Sequence, residues 1–314
     1  MPFVFLFILF NMKVLLINID SKFQNIALEK MRVFYQVQNC EVEISNHYKQ
    51  GYDKVFASCI FPKNKHIAQR YERLGAVIGG SGLDLKTKLA PEIDKIKPKI
   101  NLDFATRGCV RNCTFCIVPK KEGKIYADRD LYDIWDGKSK NITLLDNNIL
   151  ALPDHFKLLI QQAKKHDLRL DFNQGLDIRL ITDEIVSLLS SVRIKEFRFA
   201  LDNANLINLV DSKLKILRKY LPKKYFFFYV LVYNNQPIEN DLERLNFLKM
   251  NNCRAYVQSF NNEPLSFLKS RMKDWANQRW HFAKLSFDEY LQYYQKLHPK
   301  GKISEILNPS QTLF

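Results

Sequence analysis

The chain has 314 residues, 46% hydrophobic and 26% charged, which is typical of a globular core with a solvated surface in one large or two moderate domains. Its six cysteines are too few for a disulfide scaffold and fit a reducing compartment. The formal net charge of +15 favours polyanionic partners such as nucleic acid, although lysine-rich surfaces also occur for solubility.

Residues 1–10 are almost all apolar and carry no charge. This run is too short to span a bilayer, and it lacks the basic region and the small-residue cleavage site of a signal peptide. A strand-like sequence opens directly afterwards at Met12-Lys13. We therefore expect an apolar extension over residues 1–11, which a misassigned start would explain, and a cytoplasmic protein without a membrane partner.

Residues 12–95 alternate between strand and helix patterns. The apolar run from Lys13 to Ile19 is typical of a parallel strand that is buried on both faces. Alternating elements with short connections predict a small doubly wound, flavodoxin-like α/β domain, and a lysine-rich connection over residues 83–98 follows it. The predicted strands are Lys13–Ile19, Glu41–Ile44, Lys54–Ala57 and Ala76–Ile78, and the predicted helices are Phe23–Val37 and Lys63–Arg73.

Residues 96–260 repeat a β-then-α rhythm, which suggests a partial (β/α)6 barrel of the TIM type. The predicted strands are Asn101–Ala105, Ile142–Leu145, Arg169–Phe172, Glu196–Leu201, Tyr225–Val232 and Arg254–Gln258. The predicted helices are Arg129–Trp135, Asp154–Lys165, Thr182–Leu189, Ala204–Tyr220 and Asp241–Met250.

Three cysteines, Cys109, Cys113 and Cys116, lie within eight residues directly after the first of these strands. Such a loop lets three thiolates converge on a soft metal centre. A cubane cluster normally takes four cysteines, so three leave one iron for a ligand that is not protein. A zinc site would need a fourth protein ligand, and the nearest histidine is the distant His155. A disulfide is disfavoured because nothing indicates export.

Four consecutive strand ends are rich in Asp and Asn. In β/α barrels the chemistry lies where the strands end. Each stretch taken singly is a plausible solvated turn, but four on one rim favour a pocket. The stretches are Asp146-Asn147-Asn148, residues 173–179 with Asp177 and Arg179, Asp202-Asn203 and Tyr233-Asn234-Asn235.

The C-x3-C-x2-C spacing, with Phe115 before the last cysteine, resembles the signature of radical S-adenosylmethionine (SAM) enzymes, and most closely that of the tRNA methylthiotransferases. The resemblance implies that Cys109, Cys113 and Cys116 hold a [4Fe–4S] cluster whose free iron binds SAM. It also implies an electron donor such as flavodoxin or ferredoxin, and reductive cleavage of SAM to a 5′-deoxyadenosyl radical. A partial TIM barrel is the usual core of such enzymes.

The same resemblance assigns candidate SAM contacts and places Phe115 against the adenine. Residues 146–148 stand where relatives carry Gly-Gly-Glu, which holds the SAM amino group. Residues 200–203 stand where many relatives carry Gly-x-Glu-Ser, which contacts the ribose or methionyl part. Both departures keep polar chemistry but change side-chain length, and no catalytic residue is identified. The candidate contacts are Phe115, Asp146, Asn147, Asn148, Asp177, Arg179, Asp202 and Asn203.

The first domain resembles the cobalamin-binding-like or methylthiotransferase domain that often precedes a radical SAM core. Asp20-Ser21-Lys22 stands near the place of the cobalamin-ligand motif D-x-H-x-x-G, without its histidine. Methylthiotransferases supply three cysteines there for an auxiliary cluster, whereas this chain offers Cys40 and Cys59. Because both lie beside apolar runs, buried core thiols are the better interpretation, and Cys253 lies apart in a late strand region.

Residues 261–314 form a basic, aromatic tail with predicted helices at Leu265–Leu268 and Phe287–Leu297. Interleaved aromatic and basic residues can bind single-stranded nucleic acid, but they more often dock a terminal helix onto the barrel. Two alternatives to a general radical SAM enzyme stay open. One is a methylthiotransferase acting on tRNA or another macromolecule, and the other is a non-catalytic Fe–S or zinc module that binds nucleic acid.

Overall fold

The computed structural model of the chain describes residues 12–298, so the predicted extension over residues 1–11 and the end of the tail lie outside the described residues. The chain divides into two units. Of the described residues, the first unit takes those up to Arg111 and Ile117–Ile142, and the second takes Asn112–Cys116 and those from Thr143 onward. The division passes through the cysteine loop. The domain limits given above (12–95, 96–260 and 261–314) stay predictions.

The first unit begins with a parallel sheet in the strand order β2-β1-β3-β4. A one-turn 3-10 helix, Pro62–Asn64, precedes the second helix. The elements are β1 (Lys13–Asn18), α1 (Ile26–Val37), β2 (Glu41–Ser45), β3 (Lys54–Ser58), α2 (Lys65–Arg73), β4 (Val77–Gly79) and α3 (Pro91–Asp94). The last is a short helix inside the predicted connection.

Strand β1 is central and buried on both faces. Val14 and Leu16 pack with α1 residues on one side, and Leu15 and Ile17 face a second cluster that includes Tyr71 of α2. One helix therefore covers each face of the sheet, as the continuous apolar run predicts. Helix α1 starts at Ile26 and not at Phe23, because the side chain of Asn25 caps it.

The rest of the first unit consists of short elements. They are β5 (Leu102–Asp103), β6 (Thr106–Arg107), α4 (Val118–Lys121), β7 (Tyr126–Ala127), α5 (Leu131–Ile134) and β8 (Asn141–Leu144), the last of which crosses into the second unit.

Two predictions in this region are wrong in extent. The strand expected over Asn101–Ala105 is reduced to β5, and the chain then enters an antiparallel ribbon of β6 and β7. The helix expected from Arg129 begins at Leu131, because Asp130 is its extended N-cap. The Arg129 side chain instead makes a buried ion pair with Asp103, with 2.7 Å between NH1 and Oδ2.

The second unit continues the β-then-α series. Its elements are α6 (Pro153–Lys165), β9 (Arg169–Phe172), α7 (Asp183–Ser190), β10 (Arg193–Ile194), β11 (Phe197–Ala200), α8 (Ile207–Tyr220), β12 (Phe226–Val232), α9 (Ile238–Met250), β13 (Arg254–Ser259), α10 (Phe267–Asn277), α11 (Arg279–Lys284) and α12 (Phe287–Leu297). One-turn 3-10 helices lie at Ile149–Ala151, Ile178–Leu180, Ala204–Leu206 and Phe260–Asn262.

The strands of this unit pair in chain order. Strand β8 lies beside β9, β9 pairs in parallel with β10, and β11, β12 and β13 form a second parallel sheet. The strand expected over Glu196–Leu201 corresponds to β11, which is one residue shorter at each end, whereas the short strand β10 before it was not predicted. One stretch of chain carries both β10 and β11, with Lys195 and Glu196 between them, so it pairs first with β9 and then with β12. A mixed α/β fold with parallel sheets is thus confirmed.

The described part of the tail belongs to the core of the second unit. Trp275 is fully buried, and its ring centroid lies 5.0 Å from that of Phe282 and 5.5 Å from that of Phe287. Helix α12 matches the prediction, but the helix expected at Leu265–Leu268 starts at Phe267 and runs to Asn277. Buried Lys269 interrupts its apolar period, which hides its length. Within residues 12–298 no helix is both long and apolar enough to cross a membrane.

Candidate functional site

The loop before Cys109 is fixed by residues that follow α4 in the first unit. Gly108 has φ +78°, and a Cβ there would lie 2.3 Å from the carbonyl oxygen of Lys124, so the position requires glycine. The Gly108 N–H donates to Glu122 Oε2 at 2.9 Å, and the Cys109 N–H donates to the Gly123 carbonyl at 3.2 Å. The backbone at Cys109 is therefore held on both sides.

The predicted ligand cysteines are all half-buried. In the first unit, the Arg111 N–H donates to Cys109 Sγ at 3.3 Å, the kind of hydrogen bond that tunes sulfur ligands of iron. In the second unit, the Cys116 N–H donates to the Cys113 carbonyl at 3.0 Å and closes a tight turn. Phe115, within that turn, has 38% of its surface exposed and is accessible to a ligand.

Among residues 12–298, the side chains of no three His, Cys, Asp or Glu residues lie close enough together to hold a metal ion. By residue type the loop fits an iron–sulfur centre, because it offers three thiols and one sulfur already accepts an N–H. The assignment of Cys109, Cys113 and Cys116 as ligands thus depends on their chemistry and spacing, and it stays a prediction.

The second unit brings together predicted residues from the ends of β8 and β9. Asn148 is buried, and its Nδ2 donates to Asp177 Oδ2 at 3.1 Å. Arg179 binds both oxygens of Asp177, with Nε–Oδ1 at 2.6 Å and NH2–Oδ2 at 3.0 Å. A two-pronged pair of this kind fixes the orientation of both groups. Asp146 is also buried and Asn147 half-buried, directly after β8.

Asp202 stands at the end of β11, and its Oδ1 accepts the Leu231 N–H at 2.9 Å. Burial raises the pKa of this carboxyl, while the Leu231 N–H and the positive charges of Arg244 and Arg179 act in the opposite direction. Arg179 thereby links the end of β11 electrostatically to the end of β9. Asn203 is exposed, and its Oδ1 accepts the Asn205 N–H at 2.9 Å as the cap of a 3-10 helix.

Tyr233 belongs to the same rim, at the end of β12. Burial raises the pKa of its hydroxyl, the negative charge of Asp202 raises it further, and the positive charge of Arg244 opposes the rise. Cys113 makes a smaller contribution, so it lies within electrostatic range of Tyr233 in the same unit. The Tyr233 ring packs on Phe260, with 5.0 Å between centroids.

Sequence reasoning missed three buried charges behind this rim: Asp241 and Arg244 on α9 and Lys269 on α10. A signal was present, because Asp241, Arg244, Leu245 and Leu248 share the buried face of α9, and charges on an apolar face indicate a paired network.

The remaining cysteines have the surroundings of core residues. Cys59 and Cys253 are buried, and burial raises the pKa of each thiol to about 11. Cys40 is half-buried and packs against the α1 side of the first sheet. A raised pKa disfavours the thiolate that metal binding requires. Asp20, near the place of the missing cobalamin motif, accepts the N–H groups of Ile60 at 2.8 Å and Phe61 at 3.0 Å.

No protein-family model matches the chain, and no curated protein matches it. Among solved structures, the chain is similar to Streptococcus suis SuiB in its crystal structure bound to S-adenosylmethionine, at 12% identity and a TM-score of 0.37. The match covers 76% of this chain and 57% of SuiB, so the chain spans little more than half the length of that protein. A TM-score of 0.37 is too low to support a conclusion about fold or site.

Proposed function

We propose that this chain is a radical SAM enzyme in which Cys109, Cys113 and Cys116 hold a [4Fe–4S] cluster. The observation that carries the proposal is their spacing in one loop that precedes a series of parallel β/α units. Three thiolates satisfy three irons of a cubane and leave the fourth for the amino and carboxylate groups of SAM. When bound and reduced, the cluster supplies the electron that cleaves the C–S bond of SAM to release a 5′-deoxyadenosyl radical.

The second unit supplies the scaffold for this proposal. Its strands follow one another in chain order, and α6, α7, α8, α9 and α10 follow β8, β9, β11, β12 and β13. This order supports a partial TIM-type barrel, a fold whose ligands bind at the carboxyl ends of the strands. The polar residues described above lie at those ends.

The chain's own residues have distinct tasks in the proposed site. Gly108 and Glu122 fix the loop backbone, and the Arg111 N–H stabilises negative charge on Cys109. The Arg179 side chain is 32% exposed and pairs with Asp177, so it brings a positive charge to the strand ends that would favour an anionic group of a ligand. Asp202, when ionised, accepts hydrogen bonds from hydroxyl or ammonium groups of SAM.

The buried thiols of Cys59 and Cys253 support a single cluster and not the two of a methylthiotransferase. For an auxiliary cluster the first domain offers Cys40 and Cys59. Two thiolates without a third ligand would hold such a cluster poorly, and burial keeps the Cys59 thiol protonated. We therefore propose general radical chemistry on a substrate above the rim, driven by a reductant such as flavodoxin or ferredoxin. Nucleic acid is the partner class that the positive charge favours.

The deciding experiment is anaerobic reconstitution with iron and sulfide, followed by incubation with SAM and dithionite. We expect absorption at about 400 nm, as for thiolate-ligated clusters, and release of 5′-deoxyadenosine measured by mass spectrometry. Cys113→Ala should lose both signals, and the matched variant Cys40→Ala should keep both. A Cys113→Ala protein that retains the cluster and SAM cleavage would contradict the proposal.

A further inference from the structure

A buried group of charges lies directly behind the end of β12. The side chains of Asp241, Arg244 and Lys269 are 0%, 2% and 5% exposed. Charges at this depth are costly unless each is paired. Arg244 pairs with one oxygen of Asp241, and Lys269 Nζ lies 2.8 Å from the other. The core of the second unit therefore contains a paired cluster of two cations and one carboxylate.

Arg244 contacts the two backbone positions that define where Asp202 stands. Its NH1 donates to the carbonyl oxygens of Leu201 and Leu231, each at 3.0 Å. Leu201 immediately precedes Asp202, and the N–H of Leu231 donates to Asp202 Oδ1 at 2.9 Å. Residue 231 is thus held through its carbonyl by the guanidinium and through its N–H by the carboxylate. Lys269 also donates to the carbonyl of Tyr233, two residues further along.

We propose that Arg244 is a positioning residue of the candidate site, which fixes Asp202 at the rim by holding the Leu201 and Leu231 carbonyls. Asp241 and Lys269 keep the guanidinium in place, and Lys269 extends the support to Tyr233. The identity of the ligand at Asp202 rests on the proposed function, whereas the positioning role does not. Because Lys269 comes from α10, the predicted tail contributes to the site.

Arg244 also acts on the charge state of Asp202. Its positive charge favours the ionised form and opposes the rise in pKa that burial causes. Arg179 acts in the same direction from the end of β9, and Tyr233 faces Asp202 from the end of β12. Removing the Arg244 charge should therefore raise the pKa of Asp202 further, since burial already raises it. A lysine in its place keeps the charge but cannot reach two carbonyls as a planar fork does.

The test uses the full reconstituted chain and the variants Arg244→Met, Arg244→Lys, Asp202→Asn and Arg244→Met/Asp202→Asn. The first readout is the SAM dissociation constant against pH. We expect Arg244→Met to weaken binding about tenfold, the loss for one charge-assisted contact, and to move the acidic midpoint to higher pH. Arg244→Lys should keep the midpoint but bind more weakly than wild type. In the Asp202→Asn background, Arg244→Met should cause little further loss.

The second readout needs no ligand: it is the free energy of unfolding against pH, measured for each protein with Asp202 and for its Asp202→Asn counterpart. The pKa of Asp202 is raised by folding, so its contribution falls as pH rises toward the native pKa and then levels off. In Arg244→Met, the contribution of Asp202 to the free energy of unfolding should stop falling only at a higher pH than in wild type. If wild type fails to bind SAM but this shift occurs, the proposed function fails and the positioning role stands.

The proposal is overturned if folded Arg244→Met keeps both the SAM affinity and the pH midpoint of wild type. It is also overturned if its loss of affinity is the same with and without Asp202, because the guanidinium would then support folding only. Should Arg244→Met not fold, Arg244→Lys decides: wild-type SAM affinity in that variant would contradict the two-carbonyl role.

Discussion

Two aspartates that follow strands, one in each unit, have different roles: one closes a loop and the other is a candidate binding group. Asp20 follows β1, and its carboxylate accepts two backbone N–H groups, the amide of Asn64 at 3.1 Å and the thiol of Cys59. Asp202 follows β11 and accepts one backbone N–H, while burial opposes its charge. Asp20 is committed to closing its own loop, whereas Asp202 retains acceptor capacity. The number of partners therefore separates a structural carboxylate from a candidate binding group.

The largest effect that follows from this comparison concerns stability. Asp20→Ala removes an acceptor from the N–H groups of Ile60 and Phe61, and hydrogen bonds to a charged group contribute about 1.5–3 kcal/mol each. We expect the free energy of unfolding in urea to fall by about 3 kcal/mol, with SAM affinity unchanged in the folded protein. A loss of SAM affinity without a loss of stability would reverse the roles given to the two aspartates.

The matching change, Asp202→Asn, should act on binding. We expect SAM to bind about tenfold more weakly, the equivalent of one charge-assisted hydrogen bond, measured by equilibrium dialysis. Because folding raises the pKa of Asp202, the ionised side chain opposes folding, and the variant should unfold at higher urea concentration than wild type at neutral pH. Wild-type SAM binding should weaken as pH falls through that raised pKa. A variant with unchanged affinity would place SAM elsewhere.

Two asparagines sharpen the comparison further, since each donates its amide to an aspartate at a strand end. Asn148 donates to Asp177 at 3.1 Å, and Asn64 donates to Asp20 at 3.1 Å. Each Ala variant should lose about 1 kcal/mol of stability, the usual net value of one hydrogen bond. Asn148→Ala should also weaken SAM binding about threefold, whereas Asn64→Ala should not. Equal SAM affinities in the two variants would contradict the assignment of Asn148 to the candidate site and of Asn64 to a structural loop.

The smallest expected effect is on iron content. The double variant Cys40→Ala/Cys59→Ala should keep iron and sulfide close to about four per chain, as one cubane requires. The reason is that the buried Cys59 thiol stays protonated. An iron content near twice that value in wild type, falling by half in the double variant, would restore the methylthiotransferase alternative.

The sequence predicted the parts of the fold that depend on local pattern. Strand β1 follows from a continuous apolar run that is buried on both faces, and helix α12 follows from its apolar period. The antiparallel ribbon of β6 and β7 could not be predicted, since its strands are two residues long. Strand β11 was predicted to within one residue at each end, whereas β10 was missed because it is two residues long and depends on its pairing with β9.

The residues of the candidate site at the strand ends were predicted, but the buried residues that support them were not. The rule that parallel strands end at one edge selected Asn148, Asp177 and Asp202, and the structure links the first two directly. The roles of Arg244 and Lys269 depend on carbonyl oxygens distant in sequence, which no residue pattern encodes. The Asn203 side chain caps a 3-10 helix, the usual local use of Asn after a strand, and its contact with a ligand stays a prediction.

The most direct test of the central claim is electron paramagnetic resonance of the dithionite-reduced protein before and after SAM is added. If Cys109, Cys113 and Cys116 leave one iron open, SAM should change the spectrum of the reduced cluster. The change should persist in Cys59→Ala, and the cluster signal should be lost in Cys113→Ala. A cluster signal that SAM does not alter would mean that its irons are fully ligated by other groups, and would contradict the assignment of this chain as a radical SAM enzyme.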